Sequence, residues 1–159
     1  MIFRSLILIA LLIALSFRPY SLAIAQENLP VADLLEIAKE ELKFKDSIAL
    51  PHLLPVSINE LRAILCPKRK CHVNAIYMPD TVYYDEVLDL SDPIVASILY
   101  HEIIHHVQRS KYGPTDNCKI WRFKELQARK LQYKFLKAKR LHKVFDFKSR
   151  FYKLNCPRK

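Results

Sequence analysis

Residues 93–112 run from a proline to the edge of the chain's single glycine, and they hold His101-Glu102-Ile103-Ile104-His105-His106 near their centre. Ser91 or Asp92 can cap a helix that begins there, Pro93 suits its first turn, and Gly113-Pro114 stops it. A lone glycine at that point predicts a left-handed C-terminal cap that sends the chain back across the same helix. Ile94, Val95, Ile98, Leu99, Ile103 and Val107 make the helix a largely buried one. His101 and His105, four residues apart, lie one above the other on one face, so both imidazoles can reach one ion while Glu102 reaches a water beside it. Whatever this chain folds into must bring a core helix, a further ligand and an opening to solvent together at that face.

The further ligand is expected on the next helix. After Cys118, a broad apolar stripe formed by Ile120, Trp121, Phe123, Leu126, Ala128, Leu131, Phe135, Leu136 and Leu141 is interrupted by Glu125, which lies four residues after Trp121 and three before Ala128. A carboxylate turned inward needs a partner or a metal. Zinc in a hydrolytic site takes three protein ligands and keeps one position open, so the expected set is one Zn2+ on His101, His105 and Glu125, with Glu102 as general base. His106 points about 100° away around the helix and is expected to pack or support rather than ligate. Gln108 shares the face of the two histidines and can orient a ligand or line the cleft.

The segments before the motif helix predict an α+β domain, mainly helical, with a small antiparallel hairpin or sheet preceding that helix. Val31, Leu34, Leu35, Ala38 and Leu42 recur at helical spacing after Asn28-Leu29-Pro30. Pro51 and Pro55 mark an extended connection, and Ser57 with Glu60 is a capping box for a short helix over 58–65. From His72 the period becomes two, with Val73, Ala75 and Tyr77 on one face; Pro79-Asp80 turns the chain into a second strand, Thr81-Val82-Tyr83-Tyr84.

Residues 1–25 read as a cleavable export signal: Arg4, an apolar run over 6–17, and Ala23-Ile24-Ala25 as a small-x-small site. The run is short for a bilayer span of about 20 residues, and a retained anchor is the alternative. Residues 26–159 then form a single domain in the periplasm or outside the cell, where two disulfides are expected from Cys66, Cys71, Cys118 and Cys156. Three pairings exist; Cys66 with Cys71 and Cys118 with Cys156 is the preferred one. Charge is divided along the chain, with 9 Lys/Arg against 14 Asp/Glu over 26–118 and 15 against 2 over 119–159. The cationic end is first of all a solvated helix face, and beyond that a surface for anionic lipid, envelope polymer or an acidic partner. Nucleic acid is not expected, since no binding motif for it is present.

Asn74-Ala75-Ile76-Tyr77-Met78-Pro79, followed by His101-Glu102-x-x-His105 and Glu125-x-x-Ala128, resembles the gluzincin metallopeptidases, above all the minigluzincins and the cores of M48-type membrane-associated peptidases. The resemblance covers roughly residues 72–130. It implies a zincin-like fold, peptide-bond hydrolysis of a peptide or protein substrate, and a role for Asn74 and Ala75 on a sheet edge along which an extended substrate lies. Two features depart from it. Arg129 stands near where the family often has an aspartate that steadies a ligand, and residues 26–159 are expected to form one domain without the large second one that builds specificity pockets. Tyr112, Tyr133, His142 and Tyr152 are the candidates for a transition-state donor. The other class of function compatible with these residues is a non-catalytic zinc domain, monomeric like the enzyme, whose basic helix binds an anionic partner.

Overall fold

The structure, a computed structural model, describes residues 31–66 and 71–143. The elements in order are α1 (Val31–Glu41), β1 (His52–Val56), α2 (Ile58–Leu65), β2 (Ala75–Met78), β3 (Thr81–Asp85), α3 (Pro93–Tyr112) and α4 (Cys118–Ala138). The fold is α+β, with four helices and a small sheet among the described residues. No helix among them is long and apolar enough to cross a membrane. The expected export signal and Tyr152 lie outside the described residues.

Helix α3 is the centre of the molecule. Its buried residues Ala96, Leu99, Tyr100, Ile103, Ile104 and Val107 join Leu34, Leu35 and Ala38 of α1, Ala128 and Phe135 of α4, and Val82 of the sheet in one core. The ends of α3 are set locally: the Asp92 carboxylate accepts from Ile94 N at 2.8 Å, and Pro93 fills the first turn, where no intrahelical amide is needed. Gly113 follows with φ 76° and ψ −169°, so the exit uses a positive φ but not the left-handed helical conformation expected for it. An added Cβ would meet nothing within 4 Å among the described residues. The demand on Gly113 is therefore conformational, not steric.

The turn it makes is held by a cation. Lys124 of α4, 4% exposed, donates from Nζ to the Gly113 carbonyl at 2.5 Å and to Thr115 Oγ1 at 3.2 Å. Lys111 does the same for α1, donating to the carbonyl of Leu42. Carbonyls at helix ends lack intrahelical donors, and a lysine both completes them and meets the negative end of the helix dipole.

The sheet corrects the expected antiparallel hairpin in one respect. β2 and β3 do pair antiparallel, Ile76 opposite Tyr83, but β3 is the central strand and β1 pairs with its other side in parallel, His52 opposite Thr81. The prolines hid β1, which was expected as a mere connection. His52 N donates to Asp80 O and Val56 O accepts from Glu86 N, so residues 52, 54 and 56 face the ladder and Pro55 faces the outer edge, where its missing N–H costs nothing. β2 is also shorter than its alternating sequence, starting at Ala75 rather than His72. The capping box on α2 is present, with Glu60 N donating to Ser57 Oγ at 3.3 Å and Ser57 N to Glu60 Oε2 at 2.8 Å. Cys66 and Cys71 form the expected disulfide. Cys118 is disulfide-bonded as well; Cys156, its expected partner, lies outside the described residues.

Candidate metal centre

The side chains of His101 and His105 project from α3 toward α4, their rings 4.8 Å apart and nearly perpendicular. Their Nε2 atoms are 3.2 Å from each other. Glu125 enters between them from α4, with Oε1 3.1 Å from His105 Nε2 and Oε2 3.7 Å from His101 Nε2. Inward placement of Glu125 follows from the stripe it interrupts: Ala128 and Gln132, on the same side of α4, are buried against α3. One ligand atom from each of the three residues lies within 4.8 Å of the others. Two imidazole nitrogens and a carboxylate oxygen converging in this way are a donor set that could hold zinc. The Nδ1 of His101 is buried with no hydrogen-bond partner among the described residues, while its Nε2 faces His105 and Glu125.

The charge states fit the same purpose. Burial, reinforced by the neighbouring His105, drives the His101 pKa down to about 3, so this ring is neutral. Burial would raise Glu125, but the hydrogen bond and charge of His105 outweigh it, and the carboxyl is held down at about 2. Burial lowers His105, yet its hydrogen bond to Glu125 and the charges of Glu125 and Glu102 prevail, so the net direction is upward. The His105–Glu125 pair thus attracts a positive charge. A proton can meet that demand, and a divalent ion can displace it.

No family model, curated protein or solved structure matches this chain.

Glu102 occupies the adjoining wall. Its Oε2 accepts from Tyr77 N at 2.8 Å, and burial pushes its carboxyl up to about 7, with the charge of His105 opposing and that of Glu125 adding. Strand β2 explains the contact. Asp85 N donates to Asn74 O, so residues 74, 76 and 78 use their main chain toward β3, while Ala75 and Tyr77 turn theirs outward toward α3. Asn74 and Ala75 border a cavity of about 340 Å³ together with His101, Glu102, Arg129 and Gln132, and Ile94 and Ile98 supply apolar wall. The two residues assigned to a substrate edge therefore share one opening with the candidate base and one candidate ligand.

The remaining candidates divide. Gln108 is fully buried behind the site, its Oε1 2.8 Å from His105 Nδ1. His106 is buried on the opposite flank: its Nε2 meets the Ala49 carbonyl at 2.8 Å, and its Nδ1 lies 3.2 Å from the Tyr77 hydroxyl. It thereby ties α3 to the segment before β1 and to β2. His106→Ala should lower stability by about 2–3 kcal/mol through a stranded carbonyl and lost packing, read by urea unfolding of zinc-free protein. Zinc content should not change; loss of zinc at unaltered stability would return His106 to the site. Tyr112 and His142 do not border the cavity. Tyr112 packs edge-on against Phe123 on the surface, and His142 stacks edge-on against Tyr133.

Three participants were not singled out from the sequence. Arg129, noted only as a departure from a family pattern, places Nε 3.4 Å from Glu125 Oε2, a cation four residues on along the same helix face. Gln132 sits beside His101 and donates to Ser97 Oγ at 3.4 Å. Tyr77 contributes an amide and a hydroxyl on two sides of α3. The helical spacing of 125, 129 and 132 was available as a signal; the outward amide of Tyr77 required knowing which strand lies at the sheet edge.

Proposed function

We propose that this protein is a zinc-dependent hydrolase, most simply a gluzincin-type peptidase on a zincin-like fold. The observation that carries the proposal is the convergence of His101, His105 and Glu125 within 4.8 Å, with Glu102, next to His101, bordering the same cavity as His101. Zinc held there would polarise a substrate carbonyl and make a water more acidic. The chain's own residues do the rest. Glu102, with a carboxyl raised to about 7, is suited to take a proton from the attacking water and pass it to the leaving amine. The outward main chain of Ala75 is placed to pair with an extended peptide, and Asn74 beside it lines the same cavity. Export by residues 1–25 into an oxidising compartment is part of this proposal and agrees with the Cys66–Cys71 disulfide.

The proposal is tested on purified protein by metal analysis and by cleavage of a peptide library. About one zinc per chain is expected, with cleavage that a chelator abolishes and added zinc restores. Zinc-free protein that cleaves equally well would overturn it. A second reading, a zinc domain that binds an anionic envelope or lipid surface without cutting, is favoured by the exposed Lys119, Arg122, Lys130, Lys134, Lys137, Lys139 and Arg140 on and after α4. It predicts stoichiometric zinc with no cleavage.

A further inference from the structure

Behind the three converging side chains, Gln108 makes every hydrogen bond that its amide nitrogen can donate. Nε2 donates to the main-chain carbonyl of Lys124 at 2.9 Å and to Gln127 Oε1 at 2.9 Å, and Gln127 Nε2 is 3.5 Å from the Tyr112 hydroxyl. A main-chain carbonyl can only accept. The bond to Lys124 therefore determines which end of the amide is nitrogen, and Oε1 must be the end that faces His105 Nδ1 at 2.8 Å. An amide oxygen in turn can only accept, so His105 must carry hydrogen on Nδ1. Nε2, 3.1 Å from Glu125 and 3.2 Å from His101, is then the nitrogen that would give up its hydrogen for a metal. His101 has no such support on Nδ1 among the described residues.

The same amide reaches the third candidate ligand through the backbone. Lys124 immediately precedes Glu125, so the Gln108–Lys124 bond holds α4 against α3 one residue from the carboxylate. Gln108 is fully buried, and solvent cannot take over any of these bonds.

We infer that Gln108 is a positioning residue that performs two tasks with one side chain: it sets the tautomer of His105 and anchors Glu125 in register. This inference rests on the zinc reading for its purpose, but not for its first test. In zinc-free Glu125→Ala protein labelled with 15N-histidine, where the carboxylate that competes for a hydrogen on Nε2 is gone, His105 should be the Nδ1–H tautomer once the ring is neutral. Gln108→Glu should keep that tautomer, since a carboxylate also accepts from Nδ1–H, while losing the donors to Lys124 and Gln127. Gln108→Leu should give a mixture of tautomers.

Zinc affinity should fall about 10–100-fold in Gln108→Leu, the range typical of partners that orient a metal ligand, and less in Gln108→Glu. An Nε2–H tautomer in zinc-free Glu125→Ala, with Gln108 intact, would overturn the inference. Unchanged zinc affinity in folded Gln108→Leu would overturn it while leaving the zinc reading intact. An Nδ1–H tautomer in Glu125→Ala that scrambles when Gln108→Leu is added, with a wild-type protein that takes up no zinc, would uphold the positioning role and remove the zinc reading.

Discussion

Glu102→Gln is expected to reduce peptide hydrolysis by about 10²–10⁴-fold, the usual contribution of a general base, while zinc content stays at about one per chain. The separation of the two effects follows from geometry. Glu102 accepts from Tyr77 N at 2.8 Å through Oε2, and a glutamine can present its carbonyl oxygen to that amide without changing the cavity. Shape and metal ligands are kept, and the ability to take a proton is lost. The zinc-free variant should be no less stable than the wild type, because burial already holds the Glu102 carboxyl at about 7 and a neutral amide avoids the cost of desolvating a charge. Turnover that survives the substitution would remove Glu102 as the base. Loss of zinc would mean that it holds the metal instead.

Helix α3 was legible residue by residue because every signal along it agrees: a cap at Asp92, a proline at its start, a glycine at its end and a continuous apolar face. The same is true of α2 and its capping box. What escaped was long-range. Strand β1 carries Pro55, which argues against a strand unless the proline faces a free edge, and only the parallel pairing with β3 reveals that it does. Lys124 looked like one more cation on a solvated face, yet it lies buried against the carbonyl of Gly113, because the chain reversal that Gly113 permits returns α4 to the end of α3. Glu125 could be singled out because a carboxylate breaks an apolar pattern. Arg129 and Gln132 share its helical spacing, but that spacing alone is a weak signal, because long polar side chains at the edge of such a stripe ordinarily reach solvent.

The second large effect is expected from Glu125→Ala, which should weaken zinc binding by more than about 100-fold, since losing a mere orienting partner of a ligand already costs about 10–100-fold. Glu125 supplies the only carboxylate among the three converging side chains, and without it two imidazoles face the ion with no negative charge to offset it. Glu125→Gln keeps an oxygen in place and removes the charge, so its affinity should fall between the two. Unfolding measured at fixed free zinc converts these affinities into stability. At a concentration 100 times the wild-type dissociation constant, the wild-type protein should gain about 2.7 kcal/mol, and Glu125→Ala about 0.4 kcal/mol or less. Without zinc Glu125→Ala should also be the less stable protein, because the partners His105 and Arg129 outweigh the burial of the Glu125 carboxylate, so each protein's gain is read against its own zinc-free form. Wild-type zinc stabilisation in Glu125→Ala would show that the third ligand lies elsewhere, and the 20-residue step from His105 to Glu125 would then be a packing feature of α4 alone.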